Sequence, residues 1–181
     1  MELSYINNYL SETTKIIDRI DQQQIYKMWE ILYNLKGRLF ILGVGGSGAN
    51  ARHAANDFRK IMNIETYTPL DNVYELTARI NDDGWHGSFR EWLKVSKLNK
   101  DDIILVLSVG GGSESTSYNI VRALKYAESV GTKIMGIVSR DGGYTAKVAD
   151  VCIIIPIVNE SNITSHAEEL QSIILHLLVS A

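Results

Sequence analysis

The chain has one cysteine in 181 residues, which excludes a disulfide framework. Cys152 lies in the apolar run VCIIIP, where a small thiol serves as core filling rather than as a nucleophile. No long block of one charge occurs either. The 18 basic and 21 acidic residues are dispersed and leave a net charge of -3, so there is no basic footprint for nucleic acid or a membrane surface. No stretch of about 18 apolar residues is present. The segment MELSYINNYLSETTK lacks the basic start and apolar run of a secretory leader. These absences predict a soluble cytoplasmic protein with small solutes or protein partners, and the length suits one domain over residues 1–181 with a substantial core.

What is present is a repeating alternation. Over residues 2–36, Leu3, Ile6 and Leu10, then Ile16, Ile17 and Ile20, then Ile25, Met28, Trp29, Leu32 and Leu35 recur at three- and four-residue spacings. That is the pattern of one or two amphipathic helices. Gly37 ends it, and RLFILGV, DIILVLSV, KIMGIVS and VCIIIPIV follow as strand-like apolar runs. Amphipathic segments such as 119–131 and 167–180 lie between or after them. Strands that are apolar throughout, joined by helices, predict an α/β fold: a doubly wound, mostly parallel five-stranded sheet with helices on both faces. In the less regular stretch 68–87, a short helix followed by a polar loop is expected, with Asn81 to Gly84 as turn material.

Ligands of such sheets gather where strand C-termini pass into helix N-termini. Two glycine-rich turns fit that place: GVGGSGAN after the first strand and SVGGGSEST after DIILVL. Their backbones can approach an anion closely, and Ser47, Ser108 and Ser113 add hydroxyls without charge. Glycines at 43, 45, 46 and 48 do not match the spacing of a dinucleotide fingerprint, and no lysine follows either loop as a nucleotide phosphate loop requires. Phosphate outside a nucleotide fits the pair best. On the helix after the first loop, His53 and Asp57 stand four residues apart and so share one face.

Taken together, GVGGSGANARHAANDF, LSVGGGS, SRDGGYTAKVADVCIIIP and HAEELQSIILHLLVS resemble the sugar isomerase (SIS) domain, and within it the phosphoheptose isomerase group. The resemblance implies interconversion of sedoheptulose 7-phosphate and a mannoheptose 7-phosphate, in heptose biosynthesis for surface polysaccharide. It also implies a homotetramer packed through residues 1–36. By position it implies Gly45, Gly46 and Ser47 as the phosphate loop, Asn81 and Asp82 as a pair lining the sugar site, and Ser108, Gly110 and Ser113 as the second loop. Asp57 and His176 would be catalytic. His53, Asp57, Glu168 and His176 would hold zinc or another divalent metal, with Glu168 also at the substrate. The chain departs from the group at Val44, in Asp57 for glutamate, in Glu168 for glutamine, in Val109 and Gly110 for hydroxyl residues, and in the extra residues Glu114 to Ser117.

Aldose-ketose isomerisation needs a base for the proton beside the carbonyl and an acid or metal for the enediolate oxygen. Two histidines with carboxylates suit both tasks and suit zinc. In the last helix Glu169, seven residues from His176, is angularly nearer to it than Glu168, at eight, and is the reserve ligand. Trp85 and His86 could cover the pocket, and His166 is expected near a neighbouring subunit's site. Asp141 is expected to support the turn at Gly142 and Gly143. Arg52, Arg59 and Lys60 read as solvated charges. The alternatives are a non-catalytic SIS module that senses a sugar phosphate or bridges proteins, and an isomerase for another phosphosugar.

Overall fold

The computed structural model describes residues 2–181. Two amphipathic helices come first, α1 (Leu3–Ile17) and α2 (Gln22–Tyr33). The second starts where the Asp21 side chain accepts hydrogen bonds from the backbone N–H groups of Gln23 and Gln24, an N-cap in the usual sense. The remaining elements alternate: β1 (Leu39–Leu42), α3 (Gly45–Lys60), β2 (Thr66–Tyr67), α4 (Val73–Val95), β3 (Ile103–Leu107), α5 (Tyr118–Val130), β4 (Lys133–Val138), α6 (Gly143–Val148), β5 (Val151–Ile154) and α7 (Ile163–Ser180).

The five strands form one sheet in the order β2-β1-β3-β4-β5, every neighbouring pair parallel. Successive strand residues point to opposite faces, and each face is apolar. Leu39, Ile41, Ile103, Leu105, Met135, Ile137 and Ile153 pack with residues of α2, α3 and α7. Phe40, Leu42, Ile104, Val106 and Ile134 pack with α4 and α5. Both faces being covered is why the strands read as continuous apolar runs rather than alternating ones. At the N-terminal edge, the buried Asp102 carboxylate accepts from the backbone and guanidinium of Arg38 and from the backbone and side chain of Asn99. It thereby joins the start of β1 to the start of β3.

One local expectation is overturned. Residues 81–83 are helical, and α4 departs from helical geometry only at Gly84 (φ 70°, ψ 160°) before resuming. The helix persists because Arg79 pairs with Glu75 one turn before it and approaches Asp83 one turn after, which stabilises a run whose composition alone suggests a turn.

Candidate functional site

The order 2-1-3-4-5 reverses between β1 and β3, and the crevice beyond their C-terminal ends is where open α/β sheets bind ligands. Both glycine-rich turns lie there. The first is short: β1 ends at Leu42 and α3 begins at Gly45, with Val44 as an N-cap that gives no side-chain hydrogen bond.

Helix α7 runs beside α3, and polar contacts fix their register. Asn50 Nδ2 donates to the Glu168 carbonyl at 2.7 Å and to Gln171 Oε1 at 3.2 Å, while the fully buried Gln171 donates to the Ile137 carbonyl of β4. Asn50 and Gln171 are positioning residues that sequence reasoning missed. Polar residues one turn before His53 and five before His176 were the available signal.

That register brings His53, Asp57 and His176 together. Nε2 of His53 lies 3.0 Å from Nε2 of His176 and 3.1 Å from Asp57 Oδ2, and Nε2 of His176 lies 3.6 Å from the same oxygen. The imidazoles are roughly half exposed, whereas the Asp57 side chain is only 14% exposed. Its other oxygen, Oδ1, accepts from Asn56. Without a cation, one ring must donate its N–H to the other. The donor set also fits a metal: two imidazole nitrogens and a carboxylate oxygen suit zinc, and ligands at about 2.0–2.1 Å in a tetrahedron stand about 3.3 Å apart, in the middle of the observed separations.

Glu168 is not brought into this cluster. Its carboxylate packs against Gly46, where a Cβ on the glycine would collide with it. Gly46 is seven residues before His53, about 10 Å along α3. A negative charge therefore stands at the N-terminal end of α3, where the helix dipole favours it. Glu169, the reserve ligand, is engaged elsewhere, accepting from the Tyr9 hydroxyl at 2.7 Å.

The second loop borders a cleft of about 790 Å³ whose walls include Ser108, Gly110, Ser113 and Thr164. Its glycines serve close packing of loop on loop. Gly111 (φ 68°) has no room for a Cβ beside the Gly142 carbonyl, and its own carbonyl accepts from the backbone and hydroxyl of buried Thr145. Gly112 accepts from the Tyr144 N–H. Asp141 accepts from the Gly143 N–H and supports the turn as expected. Thr164 is twelve residues before His176, about 18 Å along α7, so cleft and cluster are separate features of one end of the sheet.

Several other candidates sit away from the cluster. Asn81 and Asp82 are exposed on α4, bonded to one another, and belong neither to the cluster nor to the cleft wall. Ser47 is buried, Gly45 and Gly46 are exposed, and His86 stacks edge-on against Tyr118 at the cleft rim. His166 is not presented to a neighbour. It is 2% exposed, and its Nε2 meets Glu12 Oε2 of α1 at 2.9 Å. Cys152 is unreactive filling: burial pushes its thiol up to about 11, so the thiolate is scarce at neutral pH.

No family model matches the chain. Among curated proteins, it is 26% identical to a phosphoheptose isomerase of Helicobacter pylori, covering 93% of this chain and 85% of that protein. It is 28% identical to the phosphoheptose isomerase of a Nitratiruptor species, covering 98% and 96%. Among solved structures, phosphoheptose isomerase from Neisseria gonorrhoeae superposes with a TM-score of 0.85 at 20% identity, over 98% of this chain and 97% of that one. The enzyme from Francisella tularensis gives 0.83 at 22%, over 99% and 97%. Over nearly its whole length the chain is thus similar in sequence to phosphoheptose isomerases, and it has the α/β fold of the sugar isomerase group.

Proposed function

We propose that the chain is an aldose-ketose isomerase for a sugar phosphate, converting sedoheptulose 7-phosphate to D-glycero-D-manno-heptose 7-phosphate in heptose biosynthesis for surface polysaccharide. The observation that carries this reading is the convergence of His53, Asp57 and His176 from two helices at one point, in a chain whose relatives bear that name. Asp57 takes the proton from the carbon beside the carbonyl and returns it to the neighbouring carbon. His176 hydrogen-bonds the two substrate oxygens and moves the second proton between them. His53, Asp57 and His176 would alternatively hold zinc, which when bound would supply Lewis acidity to the carbonyl and enediolate oxygens in place of the His176 proton. Glu168 would contact substrate near Gly46 rather than metal. Gly45, Gly46 and Ser47, with Ser108, Gly110 and Ser113, would surround the phosphate, and Asn81 and Asp82 would line the sugar site on rearrangement of α4 about Gly84.

The proposed setting is the cytoplasm, and among the described residues no helix is long and apolar enough to cross a membrane. A homotetramer packed through residues 1–36 is part of the same reading, supported by the exposed Leu3, Ile6 and Leu10 in that segment. A different phosphosugar is the second reading, favoured by Val109, Gly110 and, from the added residues Glu114 to Ser117, by Glu114, Thr116 and Ser117 in the cleft wall.

The test is aldose formation from sedoheptulose 7-phosphate, with and without zinc. Wild-type protein should turn over, and Asp57→Asn or His176→Ala should each lose roughly 100-fold or more, the usual worth of a positioned acid or base. No turnover by wild type under any metal condition overturns the assignment for this substrate, and turnover surviving both substitutions overturns the assignment of the site.

A further inference from the structure

We propose that the groove between α4 and α5 is a docking surface for an acidic segment of a partner protein, held by Arg90, Lys94, Arg122 and Lys125. Arg90, Lys94 and Arg122 have no part in the isomerase reading, and the proposal does not rest on it.

The groove follows from how the two helices bury their apolar faces. Phe89 and Leu93 of α4, with Ile120, Ala123, Leu124 and Ala127 of α5, lie in the core on one face of the sheet. The same turns carry charge on their outer side. Arg90 and Lys94 stand one turn apart on α4, and Tyr118, Arg122, Lys125 and Tyr126 follow one another along α5. Together these six residues wall a groove of about 340 Å³. Between Tyr118 and Tyr126 it follows α5 for about 12 Å.

No acidic side chain is among those walls, in a chain whose net charge is -3. Local pairing does not cancel the excess. Glu91, beside the groove, accepts from Arg90 Nε at 2.6 Å and from Lys94 Nζ at 3.1 Å, so one carboxylate serves two cations. Glu128, three residues after Lys125, accepts from the Tyr144 hydroxyl at 2.8 Å. Among the described residues, Arg122 and Lys125 have no carboxylate within ion-pair distance. Arg122 is also only partly exposed, which keeps its guanidinium at the groove rather than free in solvent. The cations stand in rows on two helices instead of converging on one point, an arrangement that suits a chain of carboxylates better than a single small anion. Arg90 and Lys94 are about 6 Å apart along α4, close to the ~6.8 Å between alternate residues of an extended strand. Carboxylates at every second position of an extended segment therefore meet successive cations. Arginine and tyrosine are enriched where proteins dock, and complementary charge guides the encounter.

The test measures binding of a labelled peptide of alternating glutamate and serine to the full chain by fluorescence anisotropy, with a lysine-serine peptide and a DNA oligonucleotide as comparators. Wild type should bind the acidic peptide and not the basic one, and added salt should weaken the complex. Arg122→Glu sets like charge in the groove and should weaken binding roughly tenfold or more, while Arg122→Lys should keep most of it. Lys94→Glu, at an exposed position, should act in the same direction and covers the case in which Arg122→Glu fails to fold. Turnover of sedoheptulose 7-phosphate should be unchanged in both charge reversals, because neither residue belongs to the histidine cluster or the cleft wall. Four results overturn the proposal: no binding by wild type at low salt, binding unaltered in both reversals, tighter binding of the oligonucleotide than of the acidic peptide, or turnover lost with Arg122→Glu in a folded protein. Self-association of wild type that Arg122→Glu abolishes also overturns it, by making a second copy the occupant. Charge-dependent peptide binding in a wild type without turnover would sink the isomerase reading and leave this one standing.

Discussion

Thr145 shows how a single hydroxyl holds two loops in place. It is fully buried, and its Oγ1 donates to the Gly111 carbonyl at 2.6 Å while its own N–H donates to the same oxygen. Thr145→Val keeps the shape and removes the donor, and it should cost about 1–2 kcal/mol of stability, measured by urea unfolding, with the loss carried by the loops after β3 and β4. Residues at this scale differ in how far the sequence discloses them. His53 and Asp57 are legible because one helical turn separates them and a helix is expected there. Glu168 is legible as a candidate but not in its place, because which way a carboxylate turns on α7 depends on the open space left by Gly46, far earlier in the chain.

Among the elements, β1, β3, β4 and β5 are readable as apolar runs because both sheet faces are covered. β2 is not, since two residues, Thr66 and Tyr67, are too few to show any period. α4 misleads in the other direction: Asn81-Asp82-Asp83-Gly84 has the composition of a turn, yet the Glu75, Arg79 and Asp83 charges along one face keep it helical to the glycine. Gly84 then takes a φ/ψ pair essentially closed to other residues. Gly84→Ala, with open space around the added methyl, isolates that backbone strain. It should destabilise the protein by about 1–3 kcal/mol, read from the thermal midpoint. Stability equal to wild type would mean that the two halves of α4 can join into one continuous helix.

At the scale of the whole molecule, the N-terminal helix is tied to the last helix by a polar knot that no spacing rule announces. Glu12 of α1 accepts from Asn159 and Asn162 and meets His166 of α7, partners 147 or more positions away. The His166 contact, then those of Asn162 and Asn159, hold the Glu12 carboxyl down at about 2 against an ordinary 4.5. A carboxyl whose folded value is depressed stabilises the fold fully above its unfolded value, and that contribution is lost as pH falls through the folded one. Docking of α1 should therefore weaken between about pH 4.5 and pH 2, seen as loss of hydrogen-exchange protection in α1 ahead of the sheet. Glu12→Gln should remove the Glu12 contribution to this acid dependence.

The histidine cluster also carries information about time. His53 and His176 are 123 positions apart, and their nitrogens meet only where α7 lies docked along α3, with Asn50 bonded to Glu168 and Gln171. A partly made or partly folded chain carries His53 and Asp57 on a helix but offers a cation only half a site. Metal capture, if the cluster is loaded as proposed, would thus be a property of the finished tertiary structure, and its appearance during refolding would mark the docking of α7 against α3.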